Sequence, residues 1–141
     1  MRQYGATLAQ TLRNLHNPNV RVVFDGVDVD LPIETAVPVA LIMNEALTNA
    51  FKYGIPEEPG RRGSLPEILL AMRVEGDKFV LEVRDYGRGM ASELCKNPGT
   101  SLGVQIMQSL SRQIRGEASW SNESGTVFRL SIALPEHSKV R

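Results

Sequence analysis

Residues 67–85 read EILLAMRVEGDKFVLEVRD, and no other stretch narrows the fold as far. Ile68, Leu70, Met72 and Val74 recur at every second position, Phe79, Leu81 and Val83 repeat the pattern, and Gly76-Asp77 lies between the two runs. A period of two interrupted by a Gly-Asp pair predicts a β-hairpin. One face of that hairpin is a row of large apolar side chains, which must be covered by another layer.

The rest of the chain supplies that layer. Residues 1–16 carry Tyr4, Leu8, Leu12 and Leu15 near helical spacing, and Asn17-Pro18 closes the run. RVVF (21–24) predicts a short strand, followed by the turn-rich DGVDVD. A second helix is expected from Glu34-Thr35 to about Tyr53, and a third from Leu102 to Ile114, stopped by Gly116. EASWS and TVFRLSIAL pair across an NESG turn, with Phe128, Leu130, Ile132 and Leu134 alternating. IPEEPGRRGSLP (55–66) and residues 86–101 read as loops. Helix, strand, helix, two strands, helix, two strands predicts a two-layer α/β sandwich. Its sheet is mixed and mostly antiparallel, covered on one face by about three helices.

Composition sets outer bounds. A length of 141 residues suits one domain, and 42% hydrophobic with 23% charged residues supports a buried core. Sixteen basic residues balance sixteen acidic ones, which gives no electrostatic ground for a nucleic acid or an anionic membrane as partner. The single cysteine, Cys95, excludes an internal disulfide. With no signal peptide and no long apolar run, a cytoplasmic location without membrane insertion is expected. His16 and His137 stand near opposite ends, and no cluster has zinc-site or iron-site spacing.

Three constellations carry possible chemistry. The first is LIMNEALTNAFKYG (41–54). At about 100° per residue, Glu45, Asn49 and Lys52 fall within an arc of about 60°. Ala36, Val39, Ala40, Met43, Ala46, Leu47, Ala50 and Phe51 occupy the far side of the same helix. A plain solvated face would also give this pattern. Leu41 and Ile42 flank the polar line, however, and asparagine at mid-span has poor helix propensity. A carboxylate, an amide oxygen and an ammonium in one row suit phosphates and a hydrated magnesium.

The second constellation is FVLEVRDYGRGM (79–90). Alternation puts Asp85 on the apolar face with Phe79, Leu81 and Val83, where a carboxylate needs a donor partner, such as the amino group of a purine. Gly87 and Gly89 let a ligand or backbone approach closely, although a lone DxGxG is a common turn. The third is NPGTSLGVQIM (97–107), in which Ser101 is a candidate N-cap and Gly103 leaves the first helical turn bare. Free N–H groups there would suit phosphate oxygens, or the helix is simply capped. It is neither a Walker A loop nor a dinucleotide-binding fingerprint, because no lysine follows the glycines and no G-x-G-x-x-G opens a βαβ unit.

In this order NEALTNAFKY, DYGRGM, GTSLGVQIMQSL and GTVF resemble the ATP-binding catalytic domain of bacterial sensor histidine kinases, within the wider gyrase, Hsp90 and MutL ATPase family. The similarity runs from about Val20 to Pro135 and is strongest to the short-lid kinases. It implies the Bergerat-type ATPase fold, with ATP and Mg²⁺ bound. By position, Asn49 would coordinate Mg²⁺, Glu45 would be the catalytic carboxylate, and Lys52 and Tyr53 would meet the nucleotide. Asp85 would accept from the adenine 6-amino group, while Gly87, Gly89 and Met90 would shape the pocket. Residues 90–100 would be the lid, Thr100, Ser101, Leu102 and Gly103 would hold phosphates, and Thr126 would back the adenine through a water.

The resemblance also implies partners: a dimerisation/phosphoacceptor domain of the same kinase, and a response regulator. Neither histidine lies in a phosphoacceptor-like helix beside an acid. Residues 1–18 resemble the helical linker from such a dimerisation domain, which this chain lacks, and residues 19–141 the ATP-binding domain. Ser101 stands where many kinases have a second glycine, and the lid carries no phenylalanine. Three alternatives share parts of the pattern. One is an anti-sigma-factor-type serine kinase, and another is a docking module without catalysis. The third, a gyrase-type hydrolase, needs a longer lid.

Overall fold

The structure, a computed structural model, describes residues 1–55, 66–89 and 101–141. Residues 56–65, within the expected loop, and 90–100, the expected lid with Met90, Cys95 and Thr100, lie outside the described residues. Among the described residues three helices form: α1 (Arg2–His16), α2 (Ile33–Tyr53) and α3 (Leu102–Gln113). The main sheet has the order β1-β3-β4-β6-β5, built from Arg21–Gly26, Glu67–Glu75, Lys78–Asp85, Thr126–Ala133 and Glu117–Asn122. β1 runs parallel to β3, and every other pair is antiparallel. The parallel pair follows from α2, which lies between β1 and β3 in the chain and provides the long crossover that parallel strands need.

The expected sandwich is therefore present, with the hairpin register as the alternation required. Glu75 pairs with Lys78 around Gly76-Asp77, and Gly76 takes φ +63°, the left-handed conformation such a turn demands. Leu70, Met72, Phe79, Leu81, Leu130 and Ile132 are buried on the helix side of the sheet, with Val39, Ile42, Met43 and Leu47 of α2 in the same core. Each such side chain removed from water stabilises the fold by roughly 1.5–3 kcal/mol. α2 contacts both α1 and α3. On the opposite sheet face Glu82 is buried between Arg73 and Arg129, each at 3.2 Å, and Arg129 also reaches Glu75. Arginine stems thus lie over this face while their guanidinium heads pair with its carboxylates.

α1 forms where expected and buries Gly5, Ala9 and Leu12, whereas Tyr4 and Leu15 are exposed. The helix packs largely through small residues, and a Cβ on Gly5 would stand 2.9 Å from Leu70 Cδ2. Two expectations require correction. β1 extends to Gly26, and DGVDVD contains β2 (Val29–Asp30), paired with β7 (Lys139–Val140) in a second two-stranded sheet. At the end of α3, Arg115 rather than Gly116 takes the left-handed φ of 55°, and Gly116 N–H donates to the Ser111 carbonyl.

Candidate nucleotide site

α2 places its polar line along one wall of a cleft. Glu45, Asn49, Lys52 and Tyr53 line a cavity of about 510 Å³, together with Thr48 and the small residues Ala46 and Ala50. That volume suits a ligand of a few dozen heavy atoms. Ala46 and Ala50 are themselves buried, so the helix sits close to the sheet while its polar side faces the cleft. Asp85 at the end of β4, Gly89, Ser101 and Gly103 at the start of α3, and Thr126 on β6 complete the lining from the predicted set.

Asp85 is the buried charge of this site, with 6% exposure. Its Oδ1 accepts from Gly87 N–H at 3.1 Å and from Thr126 N–H at 3.0 Å. Burial pushes its carboxyl above the ordinary value, and the two backbone donors partly oppose that rise. The required donors are thus backbone groups, and Oδ2 receives neither of them. Thr126 approaches Asp85 through its own N–H, a contact that the motif GTVF by itself does not reveal.

At the opposite end Ser101 caps α3, accepting from Val104 N–H at 3.3 Å. A Cβ on Gly103 would lie 2.8 Å from Glu45 Oε2, so the first turn of α3 and the carboxylate of α2 meet at this bare position. Anionic groups are favoured at such a helix start. Gly89 adopts φ +80°, and a Cβ there would meet Asn122 Oδ1 at 2.8 Å.

Two predicted residues stand elsewhere. Leu102 is 74% exposed and does not line the cavity, because at the first helical position its side chain turns to solvent. Gly87 does not line it either, since it packs on Gly54, whose carbonyl oxygen a Gly87 Cβ would approach at 2.5 Å. Met90 and Thr100 lie outside the described residues. Conversely, Val83, Trp120, Phe128 and Val104 line the cavity without having been singled out. Val83, Phe128 and Trp120 are register partners across β4, β6 and β5 and form one apolar row. The Trp120 and Phe128 rings are tilted at 57° with centroids 5.1 Å apart. The alternation of β6 marked Phe128 as inward-facing, but alternation does not distinguish a cavity floor from closed core.

Residues 34–136 match the family described as histidine kinase-, DNA gyrase B- and HSP90-like ATPase. The chain belongs to this family. Among curated proteins it is similar to blue-light-activated histidine kinase 2 of Erythrobacter litoralis (strain HTCC2594). The two are 28% identical over 119 residues, covering 83% of this chain and 33% of that protein. The chain thus spans about a third of the relative's length. Among solved structures, the blue-light activated histidine kinase EL346 of Erythrobacter litoralis superimposes with a TM-score of 0.77. Identity is 22%, over 93% of this chain and 44% of that one. The mycobacterial sensor histidine kinase MprB gives 0.75 at 13% identity, over 94% and 93% of the two chains. These structural likenesses establish the fold. The family match makes the chain a histidine kinase-type ATPase domain, so the cleft lies in an ATP-binding domain. Among the described residues no helix is long and apolar enough to cross a membrane.

Proposed function

We propose that this domain binds Mg·ATP in the cleft and transfers the γ-phosphoryl group to a histidine on a separate dimerisation/phosphoacceptor domain, in two-component signalling with a response regulator. The observation that carries the reading is that one cavity joins an acceptor for an amino group, Asp85, to a bare and capped helix start, at Ser101 and Gly103. A ligand with a purine at one end and phosphates at the other satisfies both.

In this reading Asp85 accepts from the adenine amino group, and Val83, Phe128 and Trp120 provide the apolar floor. Lys52 and the backbone N–H groups of the first turn of α3 offset phosphate charge. Glu45 and Asn49 offer hard oxygen donors, which fit magnesium, and no group of three acidic, histidine or cysteine residues that could hold a metal occurs among the described residues. Magnesium would therefore rest on Asn49 together with phosphate oxygens and water. When bound, it supplies charge neutralisation and alignment of the phosphates.

The γ-phosphoryl group passes from ATP to an imidazole nitrogen: a P–N bond forms, the bond from the γ-phosphorus to the β–γ bridging oxygen breaks, ADP leaves, and the imidazole gives up a proton. Glu45, at the phosphate end beside Gly103, would either accept that proton as a base or order the water of the metal. α1, in this reading, is the arm leading from the dimerisation domain. Residues 1–18 would be that linker and 19–141 the catalytic domain. Packing of α1 on α2 ties the arm to the helix that bears Glu45.

The test is to incubate the domain with γ-labelled ATP, Mg²⁺ and the phosphoacceptor domain of its parent protein. Acid-labile, alkali-stable label on the acceptor is expected, and Asn49→Ala abolishes it while leaving the fold intact by circular dichroism. Acid-stable label on serine would favour the serine-kinase alternative. No ATP binding by calorimetry would reduce the domain to a docking module.

A further inference from the structure

Gly54 follows α2 and closes the stretch LIMNEALTNAFKYG, in which only Glu45, Asn49, Lys52 and Tyr53 carried a predicted role. Its φ of −97° and ψ of 5° are open to any L-residue, so the backbone does not require glycine there. The requirement comes from a contact remote in sequence. A Cβ at Gly54 would stand 2.2 Å from Asp85 Oδ2, 2.4 Å from its Cγ and 2.6 Å from its Cβ. No rotation of Asp85 about its own side-chain bonds relieves the last of these. Retreat of Gly54 from the helix end is opposed by its N–H bond to Ala50 O at 2.9 Å, and retreat of the last turn of α2 by the burial of Phe51. On the far side Gly87, whose N–H holds Asp85 Oδ1, packs directly on the Gly54 carbonyl.

We infer that Gly54 is the positioning residue that fixes the base specificity of the cleft. By carrying no side chain, it lets Asp85 keep Oδ1 on the Gly87 and Thr126 amides and leave Oδ2 as the acceptor for an exocyclic amino group. A methyl group at position 54 displaces that carboxylate. The site then loses its means of telling a 6-amino purine from a 6-keto purine, while its phosphate end is untouched. The inference rests on the adenine-nucleotide reading of the cleft.

The experiment compares ATP with inosine triphosphate, in which a keto oxygen replaces the 6-amino group, on wild type and Gly54→Ala by calorimetry. Wild type is expected to prefer ATP by about 10-fold or more, the size of a hydrogen bond made or left unmatched in a buried site. Gly54→Ala should lower ATP affinity by about that factor and leave inosine triphosphate within about twofold, so that the preference disappears. An unchanged preference, or equal weakening of both nucleotides, would overturn the assignment.

Two further measurements close the remaining routes. If Gly54→Ala does not fold, Gly54→Ala/Asp85→Gly removes the clashing side chain and must fold; failure of both variants overturns the proposal. If wild type shows no preference between the nucleotides, it is the adenine reading that fails. The Gly54 contact is then judged by NMR, where the Gly87 and Thr126 amide protons should shift upfield in Gly54→Ala as their bonds to Oδ1 loosen. Amide signals that stay in place would overturn it.

Discussion

Asp85 is held in two opposing ways, and the balance between them sets its pH behaviour. Burial favours the neutral acid, whereas the Gly87 and Thr126 amides favour the carboxylate; burial wins, and the pKa lies above the ordinary 3.8. Folding therefore favours the protonated form. The stabilisation from this group is fully present below the unfolded value and is lost as pH rises through the raised folded value. At neutral pH the ionised Asp85 is thus a cost to the fold, retained for its acceptor. Asp85→Asn keeps an oxygen for the two backbone amides but turns an NH₂ donor toward the ligand. ATP affinity should fall by about 10-fold or more, while the melting temperature at pH 7 holds or rises. Acidification should weaken ATP binding to wild type at a higher pH than an exposed aspartate would dictate, and the Asn variant should lack that component. Calorimetry across the acidic range checks both, and a wild-type profile identical to that of the Asn variant would remove Asp85 from the site.

The start of α3 shows the same tension between stability and use. Glycine inside a helix costs about 1 kcal/mol relative to alanine. Gly103 is kept bare where a Cβ would stand 2.8 Å from Glu45 Oε2, the mobile end of a long side chain. Gly103→Ala should accordingly raise stability by up to about 1 kcal/mol, since Glu45 can swing aside, and it should lower ATP affinity because it fills the phosphate end. Urea unfolding and calorimetry on one variant give the two signs, and a parallel loss of both would mean that the glycine serves packing alone. These elements also mark what the sequence could reveal. Helical angle brought Glu45, Asn49 and Lys52 together, and strand alternation turned Asp85 inward, because both are local periodicities. Gly54 escaped because its neighbour is remote in sequence, and Trp120 because an inward strand position reads alike over core and cavity. β2 and β7, two residues each, are too short to carry a period. The spacing of Tyr4, Leu8, Leu12 and Leu15 gave the helix α1 but not its buried face, which runs through Gly5 and Ala9.

At the scale of the whole domain the cleft lies between the layers: α2 and α3 form one side, and β4, β5 and β6 the other. A ligand there contacts both layers at once and binds only when they are assembled. Nucleotide should therefore stabilise the entire folded unit rather than one segment of it. At 100 times the Kd the gain is about 2.7 kcal/mol, which for a domain of this size corresponds to roughly 5–11 °C in Tm. The chain carries its own reporter, since its single tryptophan, Trp120, lies in the floor of the cavity. Titration with Mg·ATP should change Trp120 emission with the same midpoint that the Tm shift implies. Asp85→Asn should displace both curves together to higher nucleotide concentration. If ATP raised Tm while Trp120 emission stayed flat, the nucleotide would sit away from the aromatic floor. If neither moved, the cleft would not be a nucleotide site, and its polar line would reduce to a solvated helix face.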